Sequence, residues 1–214
     1  MKRIIIILTI SLFYSCQTKK NDLNQSDKEK QVGLTEKYSG FLQVNDEFTS
    51  YLDNFKKVEL PISIKGCLLT SDGLKEIDGK KFDKYNPENS YAYRQIPTNG
   101  TYLATITLGI ADCYLPVLTT YKPNGEIIDK KTIAIGGCGS DCGFTCEEFM
   151  KIDKDYKIYT SDTISTYECD SLGNEISGTY KYYVAYKTGM LTTEGKIVLS
   201  NEKKKKINGR KNTP

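Results

Sequence analysis

Short runs of alternating apolar and polar residues, separated by turn residues, constrain this chain more than any other feature. In one run Tyr102, Ala104, Ile106 and Leu108 take every second position, the period of a β-strand with one buried face. Similar runs occupy residues 114–121, 126–135, 144–152, 157–167, 177–187 and 196–199. Turn residues rich in Gly, Asn and Asp stand at 71–73, 98–100, 123–125, 153–155, 172–174, 188–189 and 194–195. The spacing leaves no room for crossover helices, so it predicts an antiparallel β meander that forms a sandwich or an open barrel.

Residues 40–57 have a different period. Apolar side chains recur three or four positions apart at Phe41, Val44, Phe48, Tyr51 and Phe55. This spacing predicts one N-terminal amphipathic helix whose apolar stripe packs on the sheet. The fold class is therefore mostly β, in the α+β sense.

The chain contains no histidine among its 214 residues. This excludes Ser-His-Asp and Cys-His catalysis and every metal site that needs imidazole. We therefore predict no catalytic residues, no metal and no cofactor.

The first sixteen residues are typical of an export signal. Lys2 and Arg3 precede an apolar run over 4–13, which is too short to span a bilayer permanently, and Ser15 stands directly before Cys16. The segment resembles the signal of bacterial lipoproteins, and the chain as a whole looks like the small lipoproteins of Gram-negative envelopes. That resemblance is specific only over residues 1–16. It implies cleavage before Cys16, lipidation of Cys16, and, with Gln17 next, an outer-membrane location facing the periplasm. The alternative is an ordinary secretory signal whose cysteine is incidental.

The domain organisation follows from composition. Residues 1–15 are the predicted lipoprotein signal peptide, 16–38 a polar tether, 39–200 a Cys-rich β domain and 201–214 a basic disordered tail. The tail from residue 201 carries six cations and one anion, so the rest of the exported chain is mildly acidic. We therefore do not expect the folded domain to bind nucleic acid, since phosphate binding needs a cationic face on the domain.

Six cysteines remain after Cys16, and in an oxidising compartment three disulfides are the default. These cysteines are Cys67, Cys113, Cys138, Cys142, Cys146 and Cys169. Hairpins centred near residues 124 and 154 place Cys113 close to Cys138 and Cys169 close to Cys142. The predicted pairs are Cys113–Cys138 and Cys142–Cys169, with Cys67–Cys146 by elimination.

The loop over residues 135–146 holds three of these cysteines and four glycines. We interpret it as a structural disulfide knot. A thiolate metal site or a redox-active disulfide at Cys138, Cys142 and Cys146 is the alternative.

Three tyrosines, Tyr180, Tyr182 and Tyr186, share one face of a predicted strand. Such rings can stack on sugars, but cross-strand tyrosines are also ordinary sheet stabilisers. The sequence as a whole predicts a non-enzymatic outer-membrane lipoprotein that binds a protein or glycan of the envelope, inhibits an enzyme or acts structurally. The alternative function is that of a thiol-redox or metal-binding envelope protein.

Lipid anchoring through Cys16 can be tested by substitution. Each buried methylene of an acyl chain contributes about 0.8 kcal/mol, so two or three chains hold a protein firmly at a membrane. We expect Cys16→Ala to become soluble or to remain unprocessed when cells are fractionated. A variant that stays with the membranes after losing its leader would contradict the prediction.

Overall fold

The computed structural model describes residues 45–68, 70–139 and 141–207, and most of its regular structure is β-strand. The predicted leader and tether therefore lie outside the described residues. Within the described residues the one helix is α1 (Asp46–Leu52). The strands are β1 (Lys56–Lys57), β2 (Ile62–Lys65), β3 (Lys75–Ile77), β4 (Ser90–Ile96), β5 (Leu103–Gly109), β6 (Leu115–Tyr121), β7 (Ile127–Thr132), β8 (Phe144–Ile152), β9 (Lys157–Thr166), β10 (Lys181–Leu191), β11 (Ile197–Leu199) and β12 (Lys203–Lys206). Within this part of the chain no helix is long and apolar enough to cross a membrane.

The strands form two sheets. The first has the order β1-β4-β5-β6-β7, with β3 also paired to β4. Strands β4 to β7 are consecutive antiparallel neighbours, while β1 is parallel to β4. The second sheet has the order β11-β10-β9-β8-β2, with β12 also paired to β10, and all its pairs are antiparallel. The predicted mostly β, antiparallel character is confirmed, and over the described residues neither sheet closes into a barrel.

One apolar core is shared by the inner faces of the two sheets. The first sheet contributes alternate residues of β5, Ala104, Ile106 and Leu108, and the second contributes Ile152 and Ile158 from β8 and β9. All five side chains are fully or almost fully buried. Burial of apolar surface is the main favourable term in folding, so this shared core holds the sheets together.

A second core lies on the other side of the first sheet, beneath α1. Its aromatic and aliphatic members are Phe48, Tyr51, Phe55, Ile77, Phe82, Tyr85, Ala92 and Tyr121. The hydroxyls of Tyr51 and Tyr121 lie 2.9 Å apart, and the Thr105 hydroxyl donates to Tyr121 at 3.4 Å. Thr105 is fully buried. Strand β5 is thus buried on both faces, not half-buried as its alternating sequence predicts, and the Thr105 hydroxyl finds its partner beneath the helix.

Helix α1 lies inside the segment for which the sequence predicts a helix, but it ends sooner. Asn45 caps its N-terminus by accepting a hydrogen bond from the Glu47 backbone N–H. At the other end the Asn54 side-chain amide donates to the carbonyls of Ser50 and Tyr51. This satisfies carbonyls that a continuing helix would use, and the chain turns into β1. Residues 40–44 of the predicted helix lie outside the described residues.

Two glycines at predicted turns have different roles. Gly125 ends the β6–β7 turn with φ +91°, and a Cβ there would come within 2.8 Å of the Tyr85 ring. The predicted turn at Gly189 is wrong, because Gly189 lies within β10 opposite Leu199. A Cβ at Gly189 would collide with the Val198 carbonyl, so glycine permits the close approach of β11.

The basic segment after residue 201 is not disordered over its first half. Lys203–Lys206 forms the edge strand β12, which pairs with Tyr183–Tyr186 of β10. Edge strands of natural sheets commonly carry lysine, since charge discourages further pairing. Residues 208–214 of the predicted tail lie outside the described residues.

The second core predicts a large effect of Phe48→Ala. Phe48 is fully buried, with ring centroids 5.0 Å from Tyr85 and 5.2 Å from Tyr121. We expect a loss of about 3–5 kcal/mol in the free energy of unfolding, because the truncation leaves a cavity. Urea denaturation measures it, with the half-exposed Val198→Ala as a control that should change stability by less than about 0.5 kcal/mol. Equal losses in the two variants would contradict this account of the core.

Candidate functional site

All six cysteines of the predicted domain are joined in disulfides. The pairs are Cys67–Cys113, Cys138–Cys146 and Cys142–Cys169, with Cα separations of 5.0, 5.2 and 6.5 Å. Three disulfides are as the sequence predicts, but only one of the three predicted pairs is present. Cys16 lies outside the described residues.

The Cys67–Cys113 disulfide replaces the predicted Cys113–Cys138 pair. Strand β6 begins at Leu115 and β7 ends at Thr132, so the hairpin ladder stops before it reaches Cys113. The backbone N–H of Tyr114 instead donates to the Leu68 carbonyl at 2.9 Å. This contact brings the chain after β2 beside the chain before β6, and the disulfide therefore links the two sheets.

The Cys138–Cys146 disulfide corrects the pair inferred by elimination, Cys67–Cys146. The loop between β7 and β8 folds back along β8, and Gly137 N–H donates to Asp162 Oδ2 at 3.1 Å. This hydrogen bond holds Cys138 next to Cys146, only eight residues along the chain. A loop anchored by a side chain of another strand cannot be inferred from hairpin register.

The Cys142–Cys169 pair is confirmed. Strands β8 and β9 pair Phe144 with Thr166, and Tyr167 N–H donates to the Gly143 carbonyl at 2.9 Å. Extending this ladder places Cys142 opposite Glu168, one residue from Cys169, so the hairpin brings the two cysteines together as predicted. Cys142 is exposed and Cys169 half-buried.

Two buried carboxylates lie on the inner face of the second sheet near the Cys138–Cys146 disulfide. Glu148 of β8 and Asp162 of β9 are register partners on adjacent strands, and they are 8% and 1% exposed. A carboxylate oxygen of Asp162 and the sulfurs of Cys138 and Cys146 all lie within 4.8 Å of one another. The two sulfurs are bonded to each other and so offer no thiolate to a metal.

The environment of this carboxylate pair favours the protonated forms. Burial, reinforced by the nearby charge of Asp162, raises the pKa of Glu148 to about 7. Burial also raises the pKa of Asp162, although the Gly137 N–H opposes this shift. Glu148 Oε1 has no hydrogen-bond partner among the described residues.

A small cavity of about 10 Å³ adjoins the pair, roughly the space of one water. Its polar lining comes from Glu148, Asp162 and Thr160, and the remainder is largely apolar. Buried polar atoms without partners carry a free-energy cost of about 1–3 kcal/mol. A water in the adjoining space would give Glu148 Oε1 a partner and avoid this cost.

In the sequence Glu148 simply follows Glu147 two residues after Cys146, which by itself marks no site. A sharper signal is present in the strand alternation. Glu148 has the same parity as the buried Met150 and Ile152, and Asp162 the same parity as Ile158 and Ile164. A carboxylate at an inward position of a strand is the pattern that could have found this pair.

The outer face of the second sheet carries a group of aromatic rings, the outer aromatic face. Its members are Phe149, Tyr159, Tyr167, Tyr180, Tyr182 and Tyr186. The rings of Tyr180 and Tyr182 are nearly parallel, at 7° and 5.8 Å between centroids. Tyr159 and Tyr186 stack across β9 and β10 at 6.2 Å. The common face predicted for Tyr180, Tyr182 and Tyr186 is consistent with this arrangement.

Lysines border the outer aromatic face. Lys203 and Lys205 of β12 pair with Tyr186 and Val184 and so share their side of the sheet. Both lysines are exposed, and within residues 45–68, 70–139 and 141–207 neither forms an ion pair. Lys65 on the opposite edge is paired with Glu147 at 3.3 Å. The β12 side of the face therefore carries uncompensated positive charge.

Comparison with protein-family models, with curated proteins and with solved structures finds no match to this chain.

The buried carboxylates predict a decrease in stability as pH rises. Between about pH 4.5 and 7, Glu148 keeps its proton in the folded state but loses it in the unfolded state, so raising the pH favours unfolding. From the size of the shift we expect a loss on the order of 2 to 3 kcal/mol by pH 8. Urea denaturation at pH 5 and pH 8 measures this loss.

Glu148→Gln should remove most of that pH dependence and be more stable than wild type at pH 8. Glu147→Gln is the matched control, since Glu147 is exposed on the opposite face. The same pH dependence in wild type and Glu148→Gln would contradict the assignment.

Proposed function

We propose that this protein is an exported, lipid-anchored module that binds anionic glycan of the cell envelope through the outer aromatic face. In this proposal Cys16 carries the lipid, residues 16–38 form the tether, and the three disulfides stabilise a two-sheet sandwich. The module lies at the periplasmic side of the outer membrane.

The disulfides support the exported location. Three bridges in one small domain are characteristic of oxidising compartments and rare where thiols are kept reduced. Two of the bridges join segments 46 and 27 residues apart, and such cross-links stabilise a domain by restricting its unfolded chain. The leader over residues 1–15 supports the same location.

The outer aromatic face is the observation that carries the binding proposal. Flat aromatic rings present apolar faces with a polar edge, a combination suited to partners that are themselves partly apolar and partly hydroxylated. Tyr182 and Tyr186 are four residues apart on β10, which corresponds to about 13 Å along the strand. The face is thus an extended platform more than a pocket, and it suits a chain-like ligand.

The charge beside the face selects the class of glycan. Lys203 and Lys205 lie on β12, next to β10 in the sheet, and they provide positive charge along one side of the aromatic rings. Such an arrangement favours sugars that carry carboxylate or phosphate groups. A neutral polysaccharide would gain only the stacking contribution.

The proposal is tested by titrating the mature domain with anionic envelope glycan, using lipopolysaccharide core oligosaccharide and peptidoglycan fragments, and with neutral dextran as a comparison. Stacking of an aromatic ring contributes about 0.5–1.5 kcal/mol, so Tyr186→Ala should weaken binding roughly three- to tenfold in calorimetry. Replacing Lys203 and Lys205 together by Gln should weaken binding and reduce its dependence on salt.

Leu172→Ala is the control, because Leu172 is an 85% exposed apolar residue that is not one of the rings of the face. Its affinity should equal that of wild type. Absence of glycan binding, or equal losses in Tyr186→Ala and Leu172→Ala, would contradict the proposal.

A further inference from the structure

The Cys138–Cys146 disulfide differs from the other two in its surroundings. A carboxylate oxygen of the buried Asp162 lies within 4.8 Å of both of its sulfurs. In the described part of the chain, no carboxylate oxygen has that relation to Cys67–Cys113 or to Cys142–Cys169. Cys138 and Cys146 are half-buried, whereas Asp162 is almost fully buried.

Asp162 is placed by contacts with the cysteine loop itself. Its Oδ2 accepts the hydrogen bond of Gly137 N–H at 3.1 Å, and Gly137 directly precedes Cys138. The carboxylate on β9 therefore fixes the segment that carries one sulfur, while β8 carries the other at Cys146. A purely structural bridge needs no buried carboxylate beside it, since isolated buried charge destabilises a fold.

Glu148 provides a second acidic group on β8, opposite Asp162 in the strand register. It is two residues beyond Cys146 on the same face of β8, and its Oε1 has no partner among the described residues. Both carboxyl groups line the small cavity between the sheets. The disulfide, the two acids and a water-sized space thus form one cluster at the end of the core.

We propose that Cys138–Cys146 is a thiol–disulfide exchange site. Asp162, together with Glu148, donates a proton to the sulfur that leaves and accepts that proton in the reverse reaction. The co-reactant is a dithiol, either a small molecule or the dithiol pair of another exported protein. This activity is separate from glycan binding, which takes place on the opposite face of the second sheet.

The reaction transfers two electrons and two protons. A thiolate of the dithiol attacks Cys138 Sγ, the Cys138–Cys146 bond breaks, and the electron pair leaves on Cys146 Sγ. The proton held by the Glu148–Asp162 pair passes through the Asp162 carboxyl group to that sulfur, and the pair takes up a new proton from solvent. The second thiol of the reagent then loses its proton and attacks the reagent's first sulfur, which is bonded to Cys138 in the mixed disulfide. Cys138 leaves and is protonated, so both cysteines end as thiols and the reagent as a disulfide.

The carboxyl groups are needed in this step because of where the leaving sulfur lies. A thiolate on Cys146 would stand beside Asp162, and two neighbouring anions in a buried site repel each other strongly. One proton must therefore be shared by the cluster. Other charged groups act on Asp162 as well: Glu148 faces it from β8, Lys187 from β10, and Glu202 from the segment before β12.

The test is the reduction of the oxidised mature protein by dithiothreitol between pH 5.5 and 9, with alkylation and mass spectrometry to identify each reduced pair. Rate constants are expressed per thiolate of the reagent. We expect the constant for Cys138–Cys146 to fall as pH rises through about 7, where Glu148 loses the proton that the pair supplies. Cys142–Cys169, measured in the same molecules, should show no such fall.

Asp162→Asn should slow reduction of Cys138–Cys146 about tenfold or more at pH 6 and abolish its pH dependence, since it removes the proton donor. If that variant does not fold, Glu148→Gln provides the same readout by displacing the inflection near pH 7, with Glu147→Gln as its matched control. Rates and pH profiles that are unchanged in whichever of the two variants folds would overturn the proposal. So would identical profiles for Cys138–Cys146 and Cys142–Cys169 in wild type.

Discussion

Burial of β5 on both faces is the constraint on which the rest of the structure depends. One face of this strand contributes Ala104, Ile106 and Leu108 to the core between the sheets, and the other lies beneath the aromatic side chains of α1 and its neighbours. A strand covered on both sides fixes the position of everything packed against it, because protein interiors tolerate neither voids nor overlap. The first sheet is thus held between the helix and the second sheet.

The disulfides reinforce this arrangement at places where the hydrogen-bonded ladders end. Cys67–Cys113 joins the loop after β2 to the loop before β6, and so links one sheet to the other. Cys142–Cys169 extends the β8–β9 ladder beyond its last regular pair. Both bridges tie segments that are far apart in sequence, which is where a cross-link restricts the unfolded chain most. Cys138–Cys146 closes a short loop only, and its acidic surroundings set it apart.

The second sheet therefore presents two different chemical surfaces. Its inner face places Glu148 and Asp162 at one end of an otherwise apolar core, next to a disulfide. Its outer face carries aromatic rings bordered by the lysines of β12. The alternation of side chains along β8, β9 and β10 separates these surfaces by the thickness of a single sheet, so a substitution on one can leave the other intact.

The sequence by itself determined the mostly β class, the boundaries of β8 and β9, the turn at Gly125 and the pairing of Cys142 with Cys169, because these depend on local periodicity and on one hairpin register. Tertiary structure alone decided which loops meet between sheets, and hence the partners of Cys67, Cys113, Cys138 and Cys146. It also ended α1 early, placed Gly189 within a strand and ordered Lys203–Lys206 on β10. The strand alternation places Glu148 and Asp162 at inward positions, but it does not show that they lie beside the Cys138–Cys146 disulfide. Contacts between segments distant in sequence arise from packing, and no local pattern encodes them.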